Sequence, residues 1–165
     1  MALNRGKQFE QHIRKQFESL NNTFVLRLYD VTMGYSKIDN PCDLIVFKNG
    51  TLNLFECKAI HGNTLNFKSH IRQNQWDKLL KYSYIDGVNA GILCWFIDKG
   101  ETLFLPIQDL EQLRLNGYKS FNFEYWVDGM IDCYCKKVYI LTGHTKKIFF
   151  DYELEEFLED ISYEK

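Results

Sequence analysis

Residues 40–59, "NPCDLIVFKNGTLNLFECKA", contain two short apolar runs, Leu44–Phe47 and Leu52–Phe55, separated by Asn49-Gly50. An Asn-Gly pair between apolar runs signals a two-residue hairpin loop, because both turn positions need positive φ. Such a loop pairs residues whose numbers sum to 49 + 50 = 99, and 43 + 56 meets that sum. Asp43 and Glu56 become cross-strand partners with Cβ atoms about 4.5–5.5 Å apart. Lys58, two residues on, shares their face. Ile45, Phe47, Leu52 and Leu54 line the carboxylate face, and Leu44, Val46 and Phe55 line the other. A hairpin apolar on both faces is a poor place for idle charges, and with the order of helices and strands along the rest of the chain it reads as part of an α/β fold.

Two carboxylates about 5 Å apart repel by about 0.8 kcal/mol in water and by about 3 kcal/mol at an effective dielectric near 20. A positive group is needed between them. Magnesium or manganese fits, since hard divalent cations take carboxylate, carbonyl and water oxygens. Lys58 cannot ligate a metal while protonated, but it can orient an attacking water and offset charge growing on a phosphate. Metal-assisted phosphodiester hydrolysis follows as the chemistry of this triplet. The plainer alternative is a surface hairpin whose acids face one another by chance.

The rest of the chain alternates helical and strand periods. Asn4 is placed to cap a helix reaching about Leu20, with Phe9, Ile13, Phe17 and Leu20 at helical spacing, and "TFVLRLY" then reads as a strand. After the hairpin come a helix from about Lys68 to Tyr84, the strand "AGILCWFI", a turn at "DKG" and the strand "TLFLP". "IQDLEQLRL" reads as a short helix and "MIDCYCKKVYIL" as a strand. "DYELEEFLEDISYE" reads as an amphipathic helix capped by Asp151, burying Leu154, Phe157, Leu158 and Ile161. No repeat or linker interrupts the series, so 165 residues at 45% hydrophobic content form a single domain, with 151–165 an acidic C-terminal helix.

No apolar run reaches the roughly 18–20 residues of a membrane span, and "MALNRGKQFE" lacks a signal-peptide core, which reads as cytosolic. Five cysteines without CxxC spacing read as reduced, mostly buried thiols, with Cys133 and Cys135 on one strand face. The formal charge of −2 excludes a broadly basic coat for nucleic acid. Its distribution is uneven: residues 1–81 carry twelve basic and seven acidic side chains. The half that holds the hairpin is the positive half. His61, His70 and His144 lack ligand spacing and read as surface or loop histidines.

These residues resemble the PD-(D/E)XK nucleases, in which a Pro-Asp-like turn and a Glu-x-Lys strand form the metal site; here Cys42 intervenes between Pro41 and Asp43. Within that group the closer resemblance is to the Holliday junction resolvases of the bacterial RecU type and their archaeal Hjc relatives. The similarity rests on Asn4-Arg5-Gly6 followed by Glu10, the thirteen-residue interval from Asp43 to Glu56, Glu56-Cys57-Lys58, and the helix "NQWDKLLKYSYIDG". It covers roughly residues 4–120. The resemblance implies a restriction-endonuclease-like core, a central mixed sheet flanked by helices. It implies that Glu10, Asp43, Glu56 and the Cys57 carbonyl hold magnesium, with manganese a substitute, that Lys58 assists the water, and that Gln75 supports the site. It further implies a homodimer acting on four-way DNA junctions with paired symmetric nicks. Ser36 is a weaker match to a serine near the archaeal site. The segment 29–41 is shorter than the projecting stalk of the RecU type, and such trimming suits a phage-encoded or mobile-element enzyme.

Arg5, Lys7, Arg14, Lys68 and Arg72 are the basic residues best placed for phosphate contacts, although each also reads as a solvated surface charge. Two other readings fit the same motifs: a restriction or repair endonuclease of the same superfamily, and a DNA-binding module whose metal site is inactive.

Overall fold

The computed structural model of the chain describes residues 4–29, 32–33, 36–37 and 40–163. Helix α1 spans Arg5–Glu18, and the Asn4 side chain accepts the Lys7 amide at 3.2 Å, satisfying one of the orphan donors of the first turn. Phe9, Ile13 and Phe17 recur every four residues and are fully buried. Strand β1 (Phe24–Arg27) follows, then the short antiparallel pair β2 (Thr32–Met33) and β3 (Ser36–Lys37). That small ladder occupies the segment expected to replace a stalk; the Ser36 side chain lies outside the described residues.

Strands β4 (Leu44–Lys48) and β5 (Thr51–Ile60) form the expected hairpin. Asn49 and Gly50 have φ of 51° and 81°, the two left-handed positions of a two-residue turn. Every recorded pair, from Leu44 with Phe55 to Lys48 with Thr51, sums to 99. The ladder ends there. One residue further, the Asp43 amide donates to the Phe55 carbonyl at 3.1 Å instead of continuing the register, so Asp43 and Glu56 are neighbours at the strand end rather than ladder partners.

The chain continues through β6 (Thr64–Asn66), α2 (Phe67–His70), α3 (Gln73–Ser83), β7 (Val88–Phe96), a 3₁₀ turn (Ile97–Lys99), β8 (Glu101–Pro106) and α4 (Ile107–Leu115). Next come β9 (Ser120–Asn122), which pairs with β6, then α5 (Phe123–Val127) and β10 (Tyr139–Ile140). The hairpin β11 (Gly143–Lys146) and β12 (Phe149–Tyr152) and helix α6 (Leu154–Tyr163) complete the described chain. The central sheet runs β1-β4-β5-β7-β8-β10, and its β5–β7 pair is parallel while the others are antiparallel. This is the mixed, helix-flanked α/β sheet expected. On one face Phe9, Ile13 and Phe17 of α1 pack with Leu44, Val46, Phe55 and the α6 residues Leu154, Phe157, Leu158 and Ile161. On the other, Trp76 and Leu79 of α3 and Ile107, Leu110 and Leu113 of α4 cover Leu54, Ile92 and Leu103.

Four expectations are corrected. The helix expected over 68–84 is two helices, because Ile71 takes an extended conformation with its side chain in the core, and Asn66 caps α2 by accepting the Lys68 and Ser69 amides. Residues 130–137 are turns and not a strand: the Cys135 amide donates to Ile131, and the buried pair Ile131 and Cys135 is spaced by four, not two. Cys133 is therefore exposed and Cys135 buried, on no shared strand face. Asp151 does not cap α6; it lies in β12 opposite His144 and pairs with Lys146 at 3.1 Å. Phe47 is 43% exposed, so the carboxylate face is covered along β5 but open at β4.

Candidate active site

The outer end of the β4–β5 hairpin meets the start of α3, and four side chains converge there. Glu56 is 2% exposed. Its Oε1 accepts Lys58 Nζ at 2.6 Å and its Oε2 accepts Gln75 Nε2 at 3.0 Å. Alternation along β5 puts Glu56 and Lys58 on the same face, and α3 lies across that face, which is why Gln75 reaches them. Asp43 Oδ2 accepts the Cys57 amide at 2.8 Å, fixing the first carboxylate against the backbone between Glu56 and Lys58.

Electrostatics mark the same spot. Burial, with the Glu56 charge next in weight, pushes the Asp43 carboxyl up to about 7, although the Cys57 amide and Lys58 act the other way. Burial and the charges of Asp43 and Glu56 likewise push the Cys57 thiol up, which leaves it an inert core thiol. The acids outweigh the single lysine. A buried polar atom is also unsatisfied: Gln75 Oε1 has no hydrogen-bond partner among the described residues.

Glu10 lies close enough that its charge raises Asp43, yet its carboxylate is held by the Arg27 guanidinium, which lies 4.4 Å over the Tyr29 ring. Among the described residues no three His, Cys, Asp or Glu side chains form a cation cage. Two carboxylates, an unpartnered amide oxygen and an excess of negative charge nevertheless form a hard-oxygen donor set, which fits a hard divalent cation. Asp43, Glu56, Lys58 and Gln75 are thus brought together, while Glu10 stands beside them on Arg27.

Sequence reading missed Arg27, and it took His70 for a surface or loop histidine, whereas that residue is half-buried in the last turn of α2. Arg27 is the one basic residue in an otherwise apolar strand, which was the available signal. His70 is near enough for Lys58 to help lower its pKa, after burial, and its Nδ1 accepts the Asn66 amide at 3.0 Å; no spacing rule points to it. Of the basic residues singled out, Lys7, Lys68 and Arg72 are exposed, Arg5 donates to Gln8 at 3.5 Å, and Arg14 faces Glu18 at 3.7 Å. His61 pairs with Asp98 at 2.9 Å and His144 is exposed, both surface positions as expected.

Comparison with known proteins shows the family. The family model described as archaeal Holliday junction resolvase (Hjc) matches residues 1–123, three-quarters of the chain, including α1, the hairpin and α3. The chain belongs to that family. Membership makes it a Holliday junction resolvase, a divalent-metal-dependent nuclease of branched DNA. Hjc from the archaeal hyperthermophile Archaeoglobus fulgidus shares its fold with a TM-score of 0.52 at 16% identity, over 74% of this chain and 92% of that one. No curated protein matches. No helix among the described residues is long and apolar enough to cross a membrane.

Proposed function

We propose that the chain is one nuclease domain that resolves four-way junctions as a homodimer with magnesium, nicking two equivalent strands, in the cytoplasm. The observation that carries this reading is the Lys58–Glu56–Gln75 network beside the Cys57-bound Asp43 carboxylate. Asp43 and Glu56 would hold the ion with the Cys57 carbonyl, and Glu10 would join them on leaving Arg27. When bound, magnesium supplies Lewis-acid polarisation of the phosphate and lowers the pKa of a coordinated water.

The chain's own residues do the rest. Lys58 Nζ, held at 2.6 Å by Glu56, is anchored where it orients the attacking water and balances charge on the phosphorane-like transition state. Gln75 fixes the second Glu56 oxygen, so that carboxylate presents one orientation. The Cys57 amide does the same for Asp43. Arg5, Lys7 and Arg14 on α1, with Lys68 and Arg72 beside α2 and α3, supply phosphate contacts that set the register of the duplex arms.

A single small site cannot reach two equivalent strands, and a two-fold dimer presents two sites to them. The test measures solution mass together with magnesium-dependent cutting of a four-way junction, a linear duplex and single-stranded DNA. Paired nicks in the junction, loss of cutting in Lys58→Ala or Asp43→Asn by at least about a hundredfold, and retained junction binding are expected. A monomer, or equal cutting of linear duplex, overturns the dimeric resolvase mode.

A further inference from the structure

Trp76 directly follows Gln75 on α3, so the side chain next to the candidate active site looks onto a neighbouring face of the same helix. There it lines a groove of about 630 Å³ together with Phe67, Lys68, Arg114, Tyr118 and Lys119. That volume lies within the roughly 300–1,000 Å³ of sites that take a group of small-molecule size. The groove is built around Arg114. Its Nε and Nη2 donate to the two oxygens of Glu111 at 2.8 Å each, Trp76 Nε1 donates to Glu111 Oε2 at 2.9 Å, and the guanidinium lies 5.3 Å over the Trp76 ring. Two hydrogen bonds to a carboxylate that Trp76 itself fixes, with the Trp76 ring beside them, thus hold one guanidinium plane, while the side chain remains 43% exposed. The exposed ammonium groups of Lys68 and Lys119 border it, and Tyr118 is half-buried beside it.

A surface charge that only attracts phosphate needs no fixed plane. A plane held between an aromatic ring and solvent, bordered by two cations, has the chemistry that receives a nucleobase and its flanking phosphates. We propose that this groove takes one unstacked nucleotide of the strand being cut, its base stacked on the Arg114 guanidinium beside Tyr118 and its phosphates facing Lys68 and Lys119. This deepens the nuclease reading and rests on it, since the same strand passes Lys58. A base at the point of strand exchange stacks on a continuous duplex on one side only and is drawn out at lower cost than one within an intact arm, so the groove adds a preference for the branch point that phosphate contacts alone cannot give.

The experiment uses full-length Asp43→Asn protein, in which binding is read without cutting, and a set of four-way junctions carrying one abasic nucleotide at each position near the cut. One position is expected to bind about tenfold more weakly when abasic, the loss of one stacked base. In Arg114→Lys, which keeps the charge and loses the plane, that position is expected to bind equally with and without its base. A 5-iodouridine at the same position is expected to crosslink on irradiation to residues 114–119, a readout on the Asp43→Asn protein that does not depend on how Arg114→Lys folds. No abasic effect, an effect unchanged in Arg114→Lys, or crosslinks confined to other segments overturns the proposal. Cutting by Asp43→Asn itself would instead overturn the assignment of the metal site and leave the groove result standing.

Discussion

At the scale of single residues the site is defined by an imbalance of charge. The Asp43 carboxyl is held up to about 7 by burial and Glu56, against an unfolded value near 3.9. A carboxyl raised in the folded state binds its proton more tightly there, so its contribution to stability is complete below about pH 4 and is lost as pH rises through about 7. In chelator, Asp43→Asn is therefore expected to be more stable than the parent at pH 8, by on the order of 1 kcal/mol, and not at pH 4. Urea midpoints at the two pH values check this; a gain at pH 4 as large as at pH 8 refutes it. Saturating magnesium should stabilise the parent more than the variant, because it binds the folded carboxylates. Asp43, Glu56 and Lys58 were legible in the sequence because strand alternation and turn length are local rules. The grip of Arg27 on Glu10 was not, since it joins residues 17 positions apart that meet only when β1 docks beside α1.

At the scale of elements, the sheet is fixed by how closely β7 approaches its neighbours. A Cβ added at Gly91 would fall 2.4 Å from the Leu105 carbonyl oxygen and 2.7 Å from the Phe104 ring. Neither backbone nor a packed ring can yield that space. Gly91→Ala is expected to lower stability by about 1–3 kcal/mol or more through overpacking, measured as a fall in urea midpoint at unchanged slope. An unchanged midpoint would mean that β8 can move away. The hairpin was readable from its Asn49-Gly50 turn, α1 from the Asn4 cap and the four-residue apolar period, and α4 from Ile107, Leu110 and Leu113 spaced by three. Residues 130–137 were misread because Ile131 and Cys135 are drawn inward on a turn, so apolar content without the period of two mimicked a strand. The break between α2 and α3 carries neither proline nor glycine and is imposed by burial of Ile71.

At the scale of the whole molecule, the family match ends at residue 123 but the core does not. Leu154, Phe157, Leu158 and Ile161 of α6 share one apolar cluster with α1, β4 and β5. Removing residues 124–165 would strip that cover and expose a patch well beyond what a soluble monomer tolerates. Such a truncation is expected to aggregate or to lack a cooperative thermal transition in calorimetry; a sharp transition would show that the family core stands alone. The two ends are also tied directly. His12 Nε2 lies 2.8 Å from the Phe150 carbonyl, and Gln16 both donates to that carbonyl at 3.0 Å and accepts the Tyr152 amide at 2.7 Å. These contacts bridge 134–138 residues of sequence. During synthesis at roughly 5–20 residues per second, the apolar stripe of α1 leaves the ribosome about 7–30 s before the strand that completes its surroundings. Helix α1 thus waits longest among the described elements for its final partners, and through that interval the nascent chain offers a greasy face to whatever chaperone waits at the exit tunnel.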